Sequence, residues 1–511
     1  MRKTTWVDRF VGYSDIVNPG DNPKLTSDLL NVHCRFGRII GRGGMTKYES
    51  ISTAASAAII GLFNYKQSDG THELVRMLPT ALEHFTGGVW ADVTGTALTG
   101  AVTTRPQYTV IDGSTGVPTL VFTNEGEDLP RKFSASGNSA PIASSLSPWG
   151  KGLASYFGYL FIFNVSDDGT FTDVVDGHRI GRFSDDWDTD WAACEGNEIT
   201  LDETPGAWLS AILTGKSLAA LKSDGAVRIR WVGGNTIFNQ ELIPGAEGIV
   251  APLSAAGTTD NAMGFYLGND GIIYMITEQG AQAISYESLF ETIPNTASLS
   301  KLKYARGLID SKADSYVLFY DRTGLSNQLL DSYVEYNYRT KEWVKGNLGP
   351  SIIACTSYKS TDQAAEKKLV STTTLVEEFD GTATDDDGTA ISRYWTSGWQ
   401  QIAEEGWLHG LRIVCKKNKA ARIKVSVACD YEDTFKYPQW FWLKGGAVGD
   451  DHVELTYRIA PVFVEWVNVK IQFLHDSTSA ETQLRRVGFE VTPLLKTGEK
   501  ADRGVLDSQK S

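Results

Sequence analysis

Ala262-Met263-Gly264-Phe265-Tyr266-Leu267, followed after one glycine by Asn269-Asp270-Gly271 and then by Ile272-Ile273-Tyr274-Met275-Ile276, is the stretch on which the fold turns. Each apolar run has the length of a strand and falls short of a helix, and both are rich in aromatic and β-branched residues. The Asn-Asp-Gly between them favours the positive φ angles a tight reversal needs, so the stretch reads as a β-hairpin.

The same pattern recurs on either side. Ser217-Leu218-Ala219-Ala220-Leu221 precedes Asp224-Gly225 and the run Val227 to Val232; Ser315 to Tyr320 precedes Ser332 to Tyr338, with Trp343 after the Arg339-Thr340-Lys341-Glu342 turn. Upstream, Ile59 to Tyr65, Ser68-Asp69-Gly70, His72 to Met77 and Thr86-Gly87-Gly88-Val89-Trp90 make one unit, and Gln107 to Ile111 with Leu120 to Phe122 make another. A broader unit holds the apolar run Tyr156 to Phe163, then Asp167-Asp168-Gly169, and closes near Arg179 to Ser184. A strand-and-turn unit repeating every ~40 to 50 residues with no long helical pattern predicts a radial all-β scaffold: a six- or seven-bladed β-propeller. A single large β-sandwich accommodates so many successive hairpins less naturally.

The predicted organisation is an N-terminal arm and hairpin over 1–52, the propeller over 53–375, a linker over 376–390, a C-terminal β-sandwich over 391–495 and a polar tail over 496–511. The arm carries Arg35-Phe36-Gly37-Arg38-Ile39-Ile40-Gly41-Arg42-Gly43-Gly44, read as a short hairpin that needs another surface to bury against. Asp380-Gly381 through Asp385-Asp386-Asp387-Gly388 reads as solvated linker. Beyond it, Ala421 to Val427, Val453 to Ile459 and Leu484 to Val491 alternate in the manner of strands with one buried face.

The 511 residues suffice for two to four domains, and 41% apolar with 22% charged residues is the balance of a folded soluble chain. A formal charge of -14 argues against wrapping nucleic acid through a general basic surface. The opening Met1-Arg2-Lys3-Thr4-Thr5-Trp6 lacks the apolar run of a signal peptide and no stretch is long enough to cross a bilayer, so folding in a cytoplasm is expected. Cys34, Cys194, Cys355, Cys415 and Cys429 resemble no zinc module and read as small buried thiols, although Cys415 and Cys429 could also face one another across neighbouring strands.

Reactive chemistry is sparse in the sequence. The seven histidines are scattered with no metal-binding spacing, and His178 beside Asp176 and Arg179 is better read as part of a hydrogen-bonded turn than as an acid/base group. Asp185-Asp186-Trp187-Asp188-Thr189-Asp190-Trp191 lacks the glycine and distal glutamate of a calcium loop, so Trp187 and Trp191 stand as candidate surface contacts or as packing residues of a blade-edge loop. Gly41-Arg42-Gly43-Gly44 lacks the lysine and hydroxyl of a phosphate loop. No catalytic, cofactor or metal residues are assigned, and no enzyme activity is expected.

The order of parts resembles the propeller-containing tail nozzle or head-to-tail hub proteins of short-tailed bacteriophages: an N-terminal segment with Asp28-Leu29-Leu30-Asn31-Val32 leading to Phe36-Gly37-Arg38 and Arg42-Gly43-Gly44, irregular blades, and a terminal sandwich entered around Thr396-Ser397-Gly398-Trp399. The resemblance implies a structural virion-tail protein, made in the bacterial cytoplasm and assembled as a homo-oligomer, six-fold in related nozzles. Its expected partners are a portal-associated adaptor and other tail or fibre proteins, with double-stranded DNA passing transiently and without base readout. Arg35, Phe36, Arg38 and Arg42 are then the expected assembly contacts, the arginines offering directional donors to acidic groups on the adaptor. The alternatives are a receptor- or carbohydrate-binding tail protein, with Trp187, Trp191, Trp395, Trp399, Trp440 and Trp442 as contacts, or a tail hydrolase.

Overall fold

The computed structural model describes residues 3–14, 25–35, 37–48, 54–142, 148–167, 169–171, 177–188, 191, 197–234, 237–286, 288–289, 292–293, 299–323, 328–361, 364–416, 421–444, 451–475 and 483–493. The chain divides into two compact units, one made of 44–341 and 347–389, the other of 1–43, 342–346 and 390–511.

The first unit is a seven-bladed β-propeller. Its first six blades are four-stranded antiparallel sheets taken in sequence order, beginning with the strands Gly61–Lys66, Gln107–Asp112, Trp149–Tyr156, Trp208–Thr214, Ala256–Gly257 and Arg306–Asp310. The seventh is assembled differently. Ala354–Tyr358, Lys367–Ser371 and Val376–Phe379 supply three strands, and the fourth is Thr46–Lys47 from far upstream, in register with Glu378 and Glu377.

The second strand of each blade buries both faces along most of its length, which explains the nearly continuous apolar runs there. Along Tyr159–Ser166, Phe161 and Phe163 point into the core shared with the following blade while Leu160 and Ile162 point into the core shared with the preceding one. Leu218 and Ala220 alternate with Ala219 and Leu221 in the same way one blade later. Complete burial of each large apolar side chain contributes on the order of 1.5–3 kcal/mol, so the wheel is stabilised at every blade interface.

Turn chemistry sets the hairpins. Around Asn269-Asp270-Gly271, Met263–Leu267 pairs with Ile273–Thr277. There Gly271 takes φ +80° and the Asp270 carboxylate accepts both the Ile272 amide at 2.9 Å and the Tyr274 hydroxyl at 2.9 Å. The apolar run Tyr156–Phe163 is divided by a turn. Tyr156 pairs with Tyr159 across a two-residue turn in which Phe157 and Gly158 both have positive φ, +54° and +84°.

The seventh blade carries the ring closure. The Asp386 carboxylate, buried rather than solvated, accepts the amides of Met45 at 3.1 Å and Gly349 at 3.0 Å. Gly44 lies so close to the Asp385 carbonyl that a β-carbon there would sit 1.9 Å from its oxygen. The segment expected to be a linker over 376–390 is thus partly a blade strand and partly a latch. Lys368 bridges Asp310 of the sixth blade at 2.9 Å and Asp380 at 2.8 Å. Burial disfavours its charge, but Asp380, Asp310 and Glu335 outweigh that cost and hold its pKa above the ordinary lysine value.

The second unit is one eleven-stranded, nearly closed sheet. Two long strands, Gln400–Lys416 and His452–His475, run through it: the first half of the latter pairs with the former, and the second half lies between Arg393–Ser397 and Ala421–Cys429. The residues read as an arm supply strands here. Lys3–Val7 pairs with Val487–Val491, Leu25–Leu30 with Tyr394–Ser397, and the Val32–Arg35/Arg38–Gly41 hairpin reaches Gln483 and Leu484. Its core includes Trp395, whose indole donates to Thr26 Oγ1 at 2.9 Å and meets Phe10 edge-on at 4.9 Å. Cys34 and Cys415 are buried, Cys355 and Cys429 partly so, and all four are free thiols; Cys194 and the tail over 496–511 lie outside the described residues.

Glu377 sits at the closing strand pair, buried, with neither carboxylate oxygen hydrogen-bonded among the described residues. Burial first, then the charges of Asp387 and Asp386, push its pKa up to about 7 from 4.5, against the opposing pull of Lys47. Because the folded pKa lies above the unfolded one, this group's contribution is whole below about pH 4.5 and is lost as pH rises through about 7, a change on the order of 3 kcal/mol. Melting followed by circular dichroism from pH 5 to 8.5 is expected to show a fall of several degrees in the wild type that Glu377→Gln removes.

Candidate interaction surface

Two concave regions and one exposed strand could meet other molecules. The first strands of all seven blades line a central cavity of about 400 Å³. Its titratable groups are turned to structural use. Arg306 is buried and donates to the Ile60 carbonyl at 2.9 Å; burial lowers its pKa to about 10. Cys355 opens partly onto the cavity, yet desolvation pushes its thiol up to about 12 despite the opposing pull of Arg306. The Tyr108 hydroxyl accepts the Asn64 amide at 3.3 Å, and Glu366, raised by burial, accepts the Ser311 amide at 3.0 Å. A protonated thiol beside an engaged guanidinium is a poor nucleophile. Among the described residues no group of three or more His, Cys, Asp or Glu side chains could hold a metal ion, and no helix is long and apolar enough to cross a membrane.

The exposed strand belongs to the wrapped sheet. Lys436–Trp442 pairs with Ala421–Cys429 and carries Pro438, a residue suited to a sheet edge. Alternation on its neighbour buries Ile423, Val425 and Val427 and turns Arg422 and Lys424 outward. Register then sets Arg422 opposite Trp442 and Lys424 opposite Trp440. The Arg422 guanidinium lies 5.1 Å from the Trp440 ring and 5.6 Å from the Trp442 ring; Lys424 is 5.6 Å from Trp440 and Lys444 is 5.2 Å from Trp442. Trp440 is 50% and Trp442 42% exposed, so these cation–π contacts leave much of both indoles open. On the adjoining strands of the same unit, Trp407 and Phe463 face each other in register and are likewise exposed.

The sequence-proposed residues fare differently. Arg42 is buried, its Nη1 donating to the Gly43 carbonyl at 2.9 Å while its own carbonyl accepts Arg393 Nε at 2.7 Å, so it is an internal strut rather than an assembly contact. Arg35 and Arg38 are partly exposed and face each other across the hairpin, where Arg38 also helps depress the pKa of Arg485 after burial has done so. Phe36 lies outside the described residues. Trp187 and Trp191 are both buried, the first donating to the Asp112 carbonyl at 3.2 Å and the second to the Trp187 carbonyl at 2.8 Å; they are core residues and present no surface. Trp395 is also core, whereas Trp440 and Trp442 are the exposed members of the tryptophan set. His178 lies in the short helical turn Gly177–Arg179, Arg179 bonds Asp202 at 2.9 Å, and Asp176 is outside the described residues.

No protein-family model matches the chain, and no curated protein does. Solved structures similar to it include PorZ, a surface component of the type-IX secretion system of Porphyromonas gingivalis, at 10% identity, TM-score 0.36, over 72% of this chain and 44% of that one. A protein provisionally assigned as a 6-phosphogluconolactonase from Bacteroides uniformis matches at 10% identity, TM-score 0.36, over 62% and 94%. The extracellular domain of a provisionally assigned hybrid two-component system from B. thetaiotaomicron matches at 8% identity, TM-score 0.37, over 88% and 61%. None of these likenesses carries an activity across to this chain.

In the folded protein at pH 8, alkylation of Cys355 by iodoacetamide is expected to run about a thousandfold slower than that of an unperturbed thiol, as peptide mass spectrometry over time would read. Labelling at the free-thiol rate would refute the inertness of this thiol.

Proposed function

We propose that this chain is a structural subunit that works by being built into a larger assembly, and that the assembly is the nozzle or head-to-tail hub of a short-tailed phage tail. The observation that carries the assembly reading is the edge strand Lys436–Trp442 with its open indoles and flanking cations. Tryptophan and arginine dominate the binding energy of protein interfaces, and a strand that among the described residues is paired on one side only can take another strand. The order of parts, blades followed by a wrapped terminal sheet, supports the tail reading through its resemblance to nozzle proteins. In this reading the protomers form a homo-oligomeric ring beside an adaptor. The cavity groups named above are structural, no chemistry is performed, and duplex DNA passes through the ring without specific readout.

Purified full-length protein is expected to form a ring-sized oligomer by light scattering and negative-stain microscopy. The double substitution Trp440→Ser with Trp442→Ser should shift it to monomer while leaving thermal unfolding nearly unchanged, since both side chains are exposed. A wild type monomeric at every concentration, alone and with a head–adaptor preparation, would overturn the assembly reading; a ring with no passage wide enough for duplex DNA would overturn the nozzle reading alone.

A further inference from the structure

A second recess of about 1070 Å³ opens where the first strands of the early blades end and turn back, lined among others by Lys66, Asp112, Phe157, Lys216 and Asn261. Its rim is braced from blade to blade. The Tyr65 hydroxyl donates to the Pro118 carbonyl at 2.6 Å, Thr109 bonds Ser155 at 2.8 Å, the Tyr156 hydroxyl donates to the Lys216 carbonyl at 2.6 Å, and the Gly215 amide donates to the Asn261 carbonyl at 2.6 Å. Such a rim holds its shape without a ligand, which is the condition for binding without a large ordering cost.

Phe157 is out of place by every local rule. It occupies the first position of a two-residue hairpin turn at φ +54°, where asparagine or glycine is favoured and a bulky side chain is strained. Rather than burying its ring, the chain leaves it 58% exposed, stacked at 4.3 Å and 20° on Trp231 of the next blade, itself 44% exposed. Trp231 is in turn anchored by its amide, which donates to the Tyr156 hydroxyl at 3.1 Å. A strained, solvent-facing ring at the lip of a preformed recess is a cost that folding alone does not explain, and strain of this kind gathers at ligand sites. A flat aromatic face beside amide, ammonium and carboxylate groups matches a pyranose ring, with its apolar C–H face and its rim of hydroxyls.

We infer that the propeller mouth is an oligosaccharide-binding site, with the Phe157–Trp231 stack as the platform for a sugar ring and Asp112, Lys216 and Asn261 as hydroxyl partners. This is a recognition function separate from assembly, housed entirely in the propeller.

The test is calorimetric and NMR saturation-transfer titration of the full-length protein with neutral hexasaccharides of glucose and N-acetylglucosamine and with an acidic hexuronate oligomer. At least one is expected to bind saturably. Phe157→Asn, which places the preferred residue in the turn, should weaken binding by at least about tenfold while raising the melting temperature, and Trp231→Ala should weaken it comparably. Trp440→Ser, in the other unit, should leave binding unchanged. Failure of every saccharide to bind, or binding indifferent to both Phe157→Asn and Trp231→Ala, would overturn the proposal without touching the assembly reading.

Discussion

A wheel of sheets is only as strong as its seam. Six blades here are each continuous in sequence, but the seventh is completed by Thr46–Lys47, so the first and last parts of the propeller are joined by strand pairing rather than by interlocked side chains alone. The amide of Tyr48 bonds the Val376 carbonyl, those of Ala55 and Ile59 bond Thr374 and Thr373, and Ser371 Oγ donates to the Ile59 carbonyl, so the upstream segment is tacked along the seventh blade. Tyr48 then packs against Tyr358 of the seventh blade and Phe85 of the first, putting apolar contact on both sides of the seam. The central cavity, lined by the first strands of all seven blades, exists only because this ring is closed.

Polar chemistry within the wheel follows from that closure. Buried ions sit where blades meet, and they are compensated: Lys368 has two carboxylates, and Asp386 has two backbone amides. Removing one member of such a set leaves an uncompensated charge in a place water does not reach. Glu377 differs: among the described residues neither of its carboxylate oxygens is hydrogen-bonded, and burial beside Asp387 and Asp386 moves its titration to near neutrality.

Hairpins were legible wherever turn residues and strand pattern agreed, as at Asn269-Asp270-Gly271, where Gly271 takes the positive φ, and at Gly87-Gly88, where both glycines do. Strands buried on both faces lose the alternation that marks a turn's flanks, which is why Tyr156–Phe163 read as one run: its turn holds a phenylalanine where asparagine would have announced it. Long-range pairing left no local trace either. Nothing in Thr46–Lys47 points to Glu377, and nothing in the acidic run at 385–387 marks Asp386 as the buried member. The tryptophans divide by the same logic. Trp187 sits among aspartates yet is core, while Trp440 and Trp442 lie one strand pairing away from Lys424 and Arg422, a neighbourhood that only register reveals.

The split seventh blade also bears on how the protein is made. The partner of residue 47 is residue 377, so the ribosome must deliver the whole wheel before its seam can form, an interval on the order of tens of seconds at ~5–20 residues per second. Throughout it, the flanks of the first blade that will meet the seventh, including Leu62 and Leu74, stay uncovered. A nascent chain in that state is a natural client for holding chaperones, and its yield in the cell should be governed by synthesis rate as much as by the stability of the finished ring.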